Sequence, residues 1–522
     1  MADSPSFRQT RAGVAANSIW GAVDQVVALV GGTVSSILVA RSFHPDILGN
    51  YSYIMWLVMI AGSLGRFGTP LAVRKYMLEM FAANEDRMAI RVFQAILMAQ
   101  FGLAILFTAG GLLVAWYSVP PQFRAFAVVG ILAIAPSMLT SAYTNANMAV
   151  ERFAPNVIAS LVSMLVNFAG IAATVLWHWG LIGLSGSLVV SRIVDLAVRA
   201  TATHRQLPPL EPFWPRPIWA AIPVDLRDRI LRFCAQSTFL QLMTMIVWER
   251  SEVIFLKWYS PVREITFYSM AFSLVQQAST LQRSFTSAAG VNLMRKVGSS
   301  PEQVAQTIRE ILRYSGIIAL PLAAGLAATS PALIRVMYGQ NYLPVIPVLA
   351  VAAAFGLARA LLMPLEQVLI ASDRQDLLIR SSLIASVVNV AFALLFIPQL
   401  GAFGAAICNG LSQVAGIFLT RWMVRKVVPF QVPVGSLLRN GAVSAVLAAV
   451  VFGVVSLLPP PLGLAAGVLA GLLVYVPLTR GFHALEPEDY PRFRSMAARL
   501  PSFARPPAFS VLAFMTRKPA GA

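Results

Sequence analysis

Charge is what this chain has least of. Only 12% of its 522 residues are Asp, Glu, Lys or Arg, against 57% hydrophobic. Soluble domains carry about 25% charged residues, so an ordinary cytosolic enzyme is excluded. Cysteine and histidine are also scarce. Cys234 and Cys408 lie far apart in apolar stretches and the four histidines are scattered, so neither a disulfide framework nor a zinc site can be assembled. The phosphate-loop pattern of P-loop ATPases is missing, which removes that route to ATP hydrolysis. No catalytic triad or nucleotide fingerprint is present, so the expectation is a non-enzyme with no cofactor.

What is present is apolar sequence in long runs. A spanning helix needs about 20 predominantly apolar residues. On that basis fourteen segments are expected to cross a membrane: 14–40, 47–70, 92–117, 125–150, 153–177, 181–201, 233–258, 265–290, 314–337, 346–372, 377–398, 402–424, 440–458 and 462–480. The expected fold is all-α and polytopic. Span eight is the least apolar, because Gln276, Gln277, Gln282 and Arg283 interrupt it. That mixture suits a helix with one face on a polar cavity.

The charge is unbalanced, with 40 Lys+Arg against 22 Asp+Glu, or +18. In a soluble chain this would point to nucleic acid. Sorted by loop, it sets orientation instead. With the N-terminus cytoplasmic, the opposite side holds only Arg41, Arg124, Lys257, Arg263 and Arg335 among the basic residues. Arg66, Arg192, Arg250, Arg283 and Arg359 lie within spans, and the rest fall on the cytoplasmic side. Both termini are expected inside the cytoplasmic membrane of a bacterium, with no nucleic-acid partner. The opening MADSPSFRQTRAGVAANS is polar and basic, and no short apolar region with a cleavage site follows it.

An internal repeat is visible. Tyr51-Ser52 leads to Arg66 as Tyr268-Ser269 leads to Arg283, at an offset of 217. Arg41 and Pro45 match Lys257 and Pro261 at 216. Glu151-Arg152 leads to Asn167 as Asp373-Arg374 leads to Asn389, at 222, and Gly180 and Gly183 match Gly401 and Gly404 at 221. Two six-helix halves in one orientation are implied, with two helices added. The expected divisions are a cytoplasmic N-terminus 1–13, an N-lobe 14–201, a cytoplasmic linker 202–232, a C-lobe 233–424, two helices within 439–480, and a basic tail 481–522. The tail, proline-rich with interspersed phenylalanines, is expected to lie along anionic lipid headgroups.

Four stretches carry a resemblance. ARSFHPDILGNYSYIMWL, RSEVIFLKWYSPVREITFYSMAFSL, ALIRVMYGQNYLPVIPVLAV and VVNVAFALLFIPQLGAFGAAICNGLS resemble the polysaccharide transporters of the multidrug/oligosaccharidyl-lipid/polysaccharide exporter superfamily. The resemblance spans roughly residues 14–425. It implies a flippase that moves undecaprenyl-pyrophosphate-linked oligosaccharide to the outer leaflet by alternating access between two lobes. It also implies a cationic, wet cavity open sideways to lipid, and a role for the last two helices in accommodating the lipid tail. Other polysaccharide-assembly proteins are implied as partners.

Ten ionisable groups lie within spans, and each would cost about 2.5–3.5 kcal/mol at a lipid-facing helix centre. They must therefore face one another or water. Arg66 and Arg283, symmetry-related and towards the cytoplasmic ends of their spans, are candidates for a pyrophosphate, because guanidinium forks bind phosphate oxygens bidentately. The competing reading is a snorkelling or salt-bridged arginine. Arg41 and Lys257 are their counterparts at the outer mouth, and Arg250 and Arg359 are further substrate-side candidates. Glu249 and Glu252, three apart on one helical face with Arg250 turned away, form a carboxylate pair able to exchange a proton or hold Na⁺, or else an internally neutralised cluster. Asp24, mid-span in the first helix, is a second coupling candidate or a hydrogen-bonded packing residue. Arg192, Asp195 and Arg199 read as a local charge ladder. Gly463, Gly467 and Gly471, at four-residue spacing, read as a packing stripe.

Two rival functions remain open. A cation-coupled drug exporter of the same superfamily is usually built with twelve spans and an acidic binding lobe. A membrane glycan polymerase or ligase needs a large outer loop for its catalytic residues, and every outer loop here is short.

Overall fold

Why each helix ends where it does is local chemistry. In the computed structural model, residues 11–150, 152–207, 218–248, 250–280, 282, 286, 293, 301–356, 359–372, 374–485, 489–498 and 505–516 are described. Among them are nineteen α-helices and no strand. Ten helical stretches are long and apolar enough to cross a membrane. The protein is an all-helical, multi-pass membrane protein, and its chain divides into two compact units, Met1–Leu242 and Met243–Ala522.

The first unit opens with α1 (Arg11–Ser42) and α2 (Pro45–Gly65). Phe67 and Gly68 then take left-handed backbone, and a turn leads to α3 (Thr69–Ala82), with proline in its first turn. Only glycine fits at 68. A Cβ there would stand 2.7 Å from the Cys234 carbonyl oxygen. Next come α4 (Asp86–Ser118), α5 (Arg124–Ile131), α6 (Ile134–Ala149), α7 (Ala154–Leu176) and α8 (Gly180–Gln206). Span four is thus two helices, parted near Leu132 and Ala133. Helix packing in lipid rests on close contact between small residues. Gly170 allows it here, with Ser187 Cβ only 2.4 Å from where a Cβ on the glycine would stand.

Helix α9 (Val224–Trp248) leads into the second unit, which continues with α10 (Glu252–Tyr259), α11 (Val262–Ala278), α12 (Pro301–Met337), α13 (Val345–Gly356) and α14 (Arg359–Ala371). Helix α15 (Gln375–Val424) contains non-helical backbone at Gly401 (φ 54°, ψ −131°), so its two arms correspond to spans eleven and twelve. Helices α16 (Val434–Leu457) and α17 (Pro460–Gly481) pack together, followed by α18 (Tyr490–Ala497) and α19 (Arg505–Met515).

One expectation changes. Span seven is not one helix: it breaks between Trp248 and Glu252, with Arg250 at φ +58°. Glu252 opens α10 after that break, and its expected partner Glu249 lies outside the described residues. In the segment expected to be a linker, Leu207, Ile218, Ile222, Leu226 and Ile230 are buried with residues of α3 and α4. Described residues of the tail also contact α12. Buried Asp489 accepts from the Arg313 guanidinium and from Tyr314 Oη (2.7 Å), and Phe493 meets the Tyr314 ring edge-on.

Candidate functional site

Each unit holds a polar cavity inside its helical bundle. In the first unit a cavity of about 550 Å³ lies among α2, α6 and α8. Its α2 wall is Met55, Met59, Gly62 and Arg66, and its α8 wall is Leu188, Arg192, Asp195 and Arg199. Each set follows helical spacing, so one face of each helix lines the space. Helix α6 adds Ser137, Ser141, Thr144 and Asn145. Ser141 donates to the Met138 carbonyl (2.6 Å) and Thr144 to the Thr140 carbonyl (2.8 Å). Their protons are used by the helix, which leaves oxygen lone pairs for hydroxyl donors in the cavity.

The arginines differ in their commitments. Arg199 is buried and donates to Asp195 Oδ1 (2.9 Å) and Ser160 Oγ (2.9 Å), so the one carboxylate on this wall is neutralised. Arg66, just past the last turn of α2, reaches Ser63 Oγ at 2.9 Å. Arg192 is exposed, and among the described residues it makes no ion pair. Elsewhere in this unit buried Asn147 donates to Asn156 Oδ1 (3.0 Å) and accepts from Thr203 Oγ1 (2.8 Å).

The second unit centres on Glu252, which is fully buried. Its Oε1 accepts from Asn389 Nδ2 (2.8 Å) and Asn409 Nδ2 (3.0 Å), and its Oε2 from Tyr268 Oη (2.8 Å). Gln413 donates to Asn409 Oδ1 (2.6 Å), and Ser251 Oγ donates to Asn389 Oδ1 (3.2 Å). Every donor to this carboxylate is neutral. Beside it, a cavity of about 20 Å³ is lined by Tyr268, Asn409 and Gln413. That is room for a single water-sized occupant.

Residues 38–347 match the family described as "Polysaccharide biosynthesis protein". The chain belongs to that family. Residues 293–478 of this polysaccharide biosynthesis protein also match the family described as "Lipid II flippase MurJ". No curated protein matches it in sequence. Its fold is similar to that of lipid II flippase MurJ in an inward closed conformation, at TM-score 0.71 and 13% identity, covering 90% of this chain and 98% of the other. An inward-facing multidrug resistance MATE family transporter of the MOP superfamily is similar at 0.59 and 14%, covering 77% and 95%. A MOP superfamily transporter from Pyrococcus furiosus is similar at 0.56 and 13%, covering 82% and 99%. These solved structures, a flippase and transporters, share the fold of this chain.

The remaining candidates fall as follows. Arg41 ends α1 and is exposed, and half-buried Lys257 lies in the last turn of α10. Arg250 stacks over the Phe272 ring at 5.6 Å. Asp24 is half-buried, and its Oδ1 is enclosed without a hydrogen-bond partner among the described residues. Arg359 begins α14. Arg283 and Glu249 lie outside the described residues. The charge ladder is half right, because Asp195 pairs with Arg199 and not with Arg192. The sequence reading missed Arg192 as a cavity residue, and Tyr268, Asn409 and Gln413 as partners around Glu252. Polar side chains within apolar spans were the available signal.

Proposed function

We propose that this transporter flips a lipid-linked oligosaccharide of the undecaprenyl-pyrophosphate type across the bacterial cytoplasmic membrane by alternating access, drawing on an ion gradient. The observation that carries this reading is the first unit's cavity, with three arginines against one carboxylate inside an otherwise apolar bundle. A cation held within lipid costs free energy unless it meets charge or water, and an arriving pyrophosphate supplies that charge. The α6 oxygens suit sugar hydroxyls. Arg66 and Arg283 are assigned to the head group, Arg250 and Arg359 to the substrate path, and Arg41 and Lys257 to its outer mouth. Asp24, Glu249 and Glu252 are assigned to coupling, to H⁺ or Na⁺. The N-lobe, linker and C-lobe divisions, cytoplasmic termini, anionic-lipid contacts and partners among polysaccharide-assembly proteins belong to the same proposal.

Deletion should leave lipid-linked oligosaccharide facing the cytoplasm, measured by its accessibility to a reagent added outside. An unchanged leaflet distribution sinks the reading. Arg66→Ala with Arg283→Ala should abolish export at normal protein levels. A second reading, cation-coupled drug export, draws on the buried carboxylate at Glu252. Drug sensitivity in the deletion strain with normal glycan export would favour it.

A further inference from the structure

The cavities of the two units occupy equivalent positions in the internal repeat, and their chemistry has diverged. At the 217 offset Tyr51, Met55, Val58 and Met59 become Tyr268, Phe272, Val275 and Gln276. At the 221 offset Leu188 and Arg192 become Asn409 and Gln413. Met55, Val58, Met59, Leu188 and Arg192 line the first cavity, and their counterparts line the second. The acidic position runs the other way, since Glu252 corresponds at 216 to Ser36. The first cavity thus holds an arginine where the second has glutamine, and its own carboxylate, Asp195, is paired with Arg199. The two cavities also differ in volume, about 550 Å³ for the first and about 20 Å³ for the second. Drug-sized ligand sites begin near 300 Å³, whereas the smaller space suits one ion or water.

We propose that Arg192 is the residue that makes the first cavity a diphosphate-binding site, acting with Arg66 on the oxygens of a pyrophosphate group. Asp195 does not compete, because Arg199 holds it at 2.9 Å. Along both walls the lining passes in chain order from apolar (Met55 and Met59, Leu188) to charged (Arg66; Arg192, Asp195 and Arg199), with Arg192 one turn after Leu188 on the same face of α8. A ligand with a charged head and an apolar tail fits that gradient. The assignment deepens the flippase reading and rests on it only for the identity of the natural ligand.

The test is binding to the purified full chain in nanodiscs, with inorganic pyrophosphate, farnesyl pyrophosphate and a nucleoside-diphosphate sugar as probes. Arg192→Gln, which installs the residue of the second cavity, should weaken pyrophosphate at least tenfold while the ligand-free melting temperature is unchanged. Arg192→Lys, which keeps the charge but loses the fork, should fall between the two. Farnesyl pyrophosphate binding more tightly than the nucleotide sugar points to a lipid source, and the reverse points to a soluble one. Both outcomes uphold the site. Wild type that binds no diphosphate, or R192Q and R192K that bind it as wild type does, overturns it. Should R192Q lose binding while the deletion strain still flips glycan normally, the site stands and the flippase reading falls.

Discussion

Asn167 on α7 donates to Ser35 on α1 across 3.1 Å, and their repeat counterparts, Asn389 and Ser251, meet across 3.2 Å with donor and acceptor exchanged. A second contact repeats in the same way. Arg199 reaches Ser160 at 2.9 Å, and Thr420 reaches Ser381 at 3.4 Å, each residue 221 positions from its counterpart. Gly180 and Gly401, which open matching helical segments, both take positive φ, at +61° and +54°. The repeat is therefore one of contacts as well as letters. In the second unit the same asparagine has acquired a carboxylate, Glu252, one residue beyond the serine.

That carboxylate gives the first prediction. Glu252→Gln keeps Oε1 for Asn389 and Asn409 and presents an amide that can donate to Tyr268 Oη, so folding should be preserved. Glu252→Ala removes the acceptor from three buried donors, at about 1–3 kcal/mol for each one orphaned. The expected result is a melting temperature near wild type for Gln and clearly lowered for Ala, with gradient-driven transport lost in both. Full transport by E252Q in vesicles would show that the charge is structural.

The two repeat glycines separate conformational strain from collision. Gly180→Ala meets no atom within 4 Å and should cost only the left-handed penalty, about 1–2 kcal/mol. Gly401→Ala carries a comparable penalty and also brings Cβ to 2.9 Å from Glu264 Oε2, which accepts the Ala402 N–H at 3.0 Å. G401A should therefore lower the melting temperature more than G180A. Equal shifts would show that Glu264 swings aside without loss.

Much of this was legible in sequence, for reasons tied to particular residues. Composition exposes Arg66 because a charge in an apolar run is conspicuous. Gly180 and Gly401 appear as matched letters before their backbone is seen. Arg192 was misread because Asp195 lies three residues after it and four before Arg199, and spacing allows either pair. Tertiary packing decides, since Ser160 on α7 draws Arg199 towards Asp195. The break in span seven was not legible, because Arg250 is a residue type that gives no hint of positive φ. The Glu252 partners come from helices far along the chain, which helical periodicity does not connect.

The tail is anchored through one carboxylate. Asp489 is buried and takes hydrogen bonds from Arg313 and Tyr314. Arg480 reaches the Phe514 carbonyl oxygen at 3.2 Å, and Met515 packs with Ile317 and Leu485. Asp489→Ala removes one partner of a largely buried ion pair, a change that costs about 3 kcal/mol. The expected outcome is faster tryptic cleavage at Arg494, which is followed by serine, with the spanning helices still folded. Cleavage at the wild-type rate would show that the apolar contacts hold the tail alone.

The glycine stripe of α17 gives a graded test of packing against α16. A Cβ on Gly467 would stand 2.6 Å from Val455 Cγ2, whereas one on Gly471 would stand 3.3 Å from Val451 Cγ2. Valine is stiff about χ1 and cannot yield the larger distance by rotating cheaply. Gly467→Ala should therefore cost about 1–3 kcal/mol through overpacking. Gly471→Ala needs a shift of only a few tenths of an ångström, and alanine gains about 1 kcal/mol of helix propensity over glycine. G471A should melt at or above wild type and G467A below it, read by thermal denaturation in the same detergent. The opposite order would mean that α16 and α17 meet along a different face.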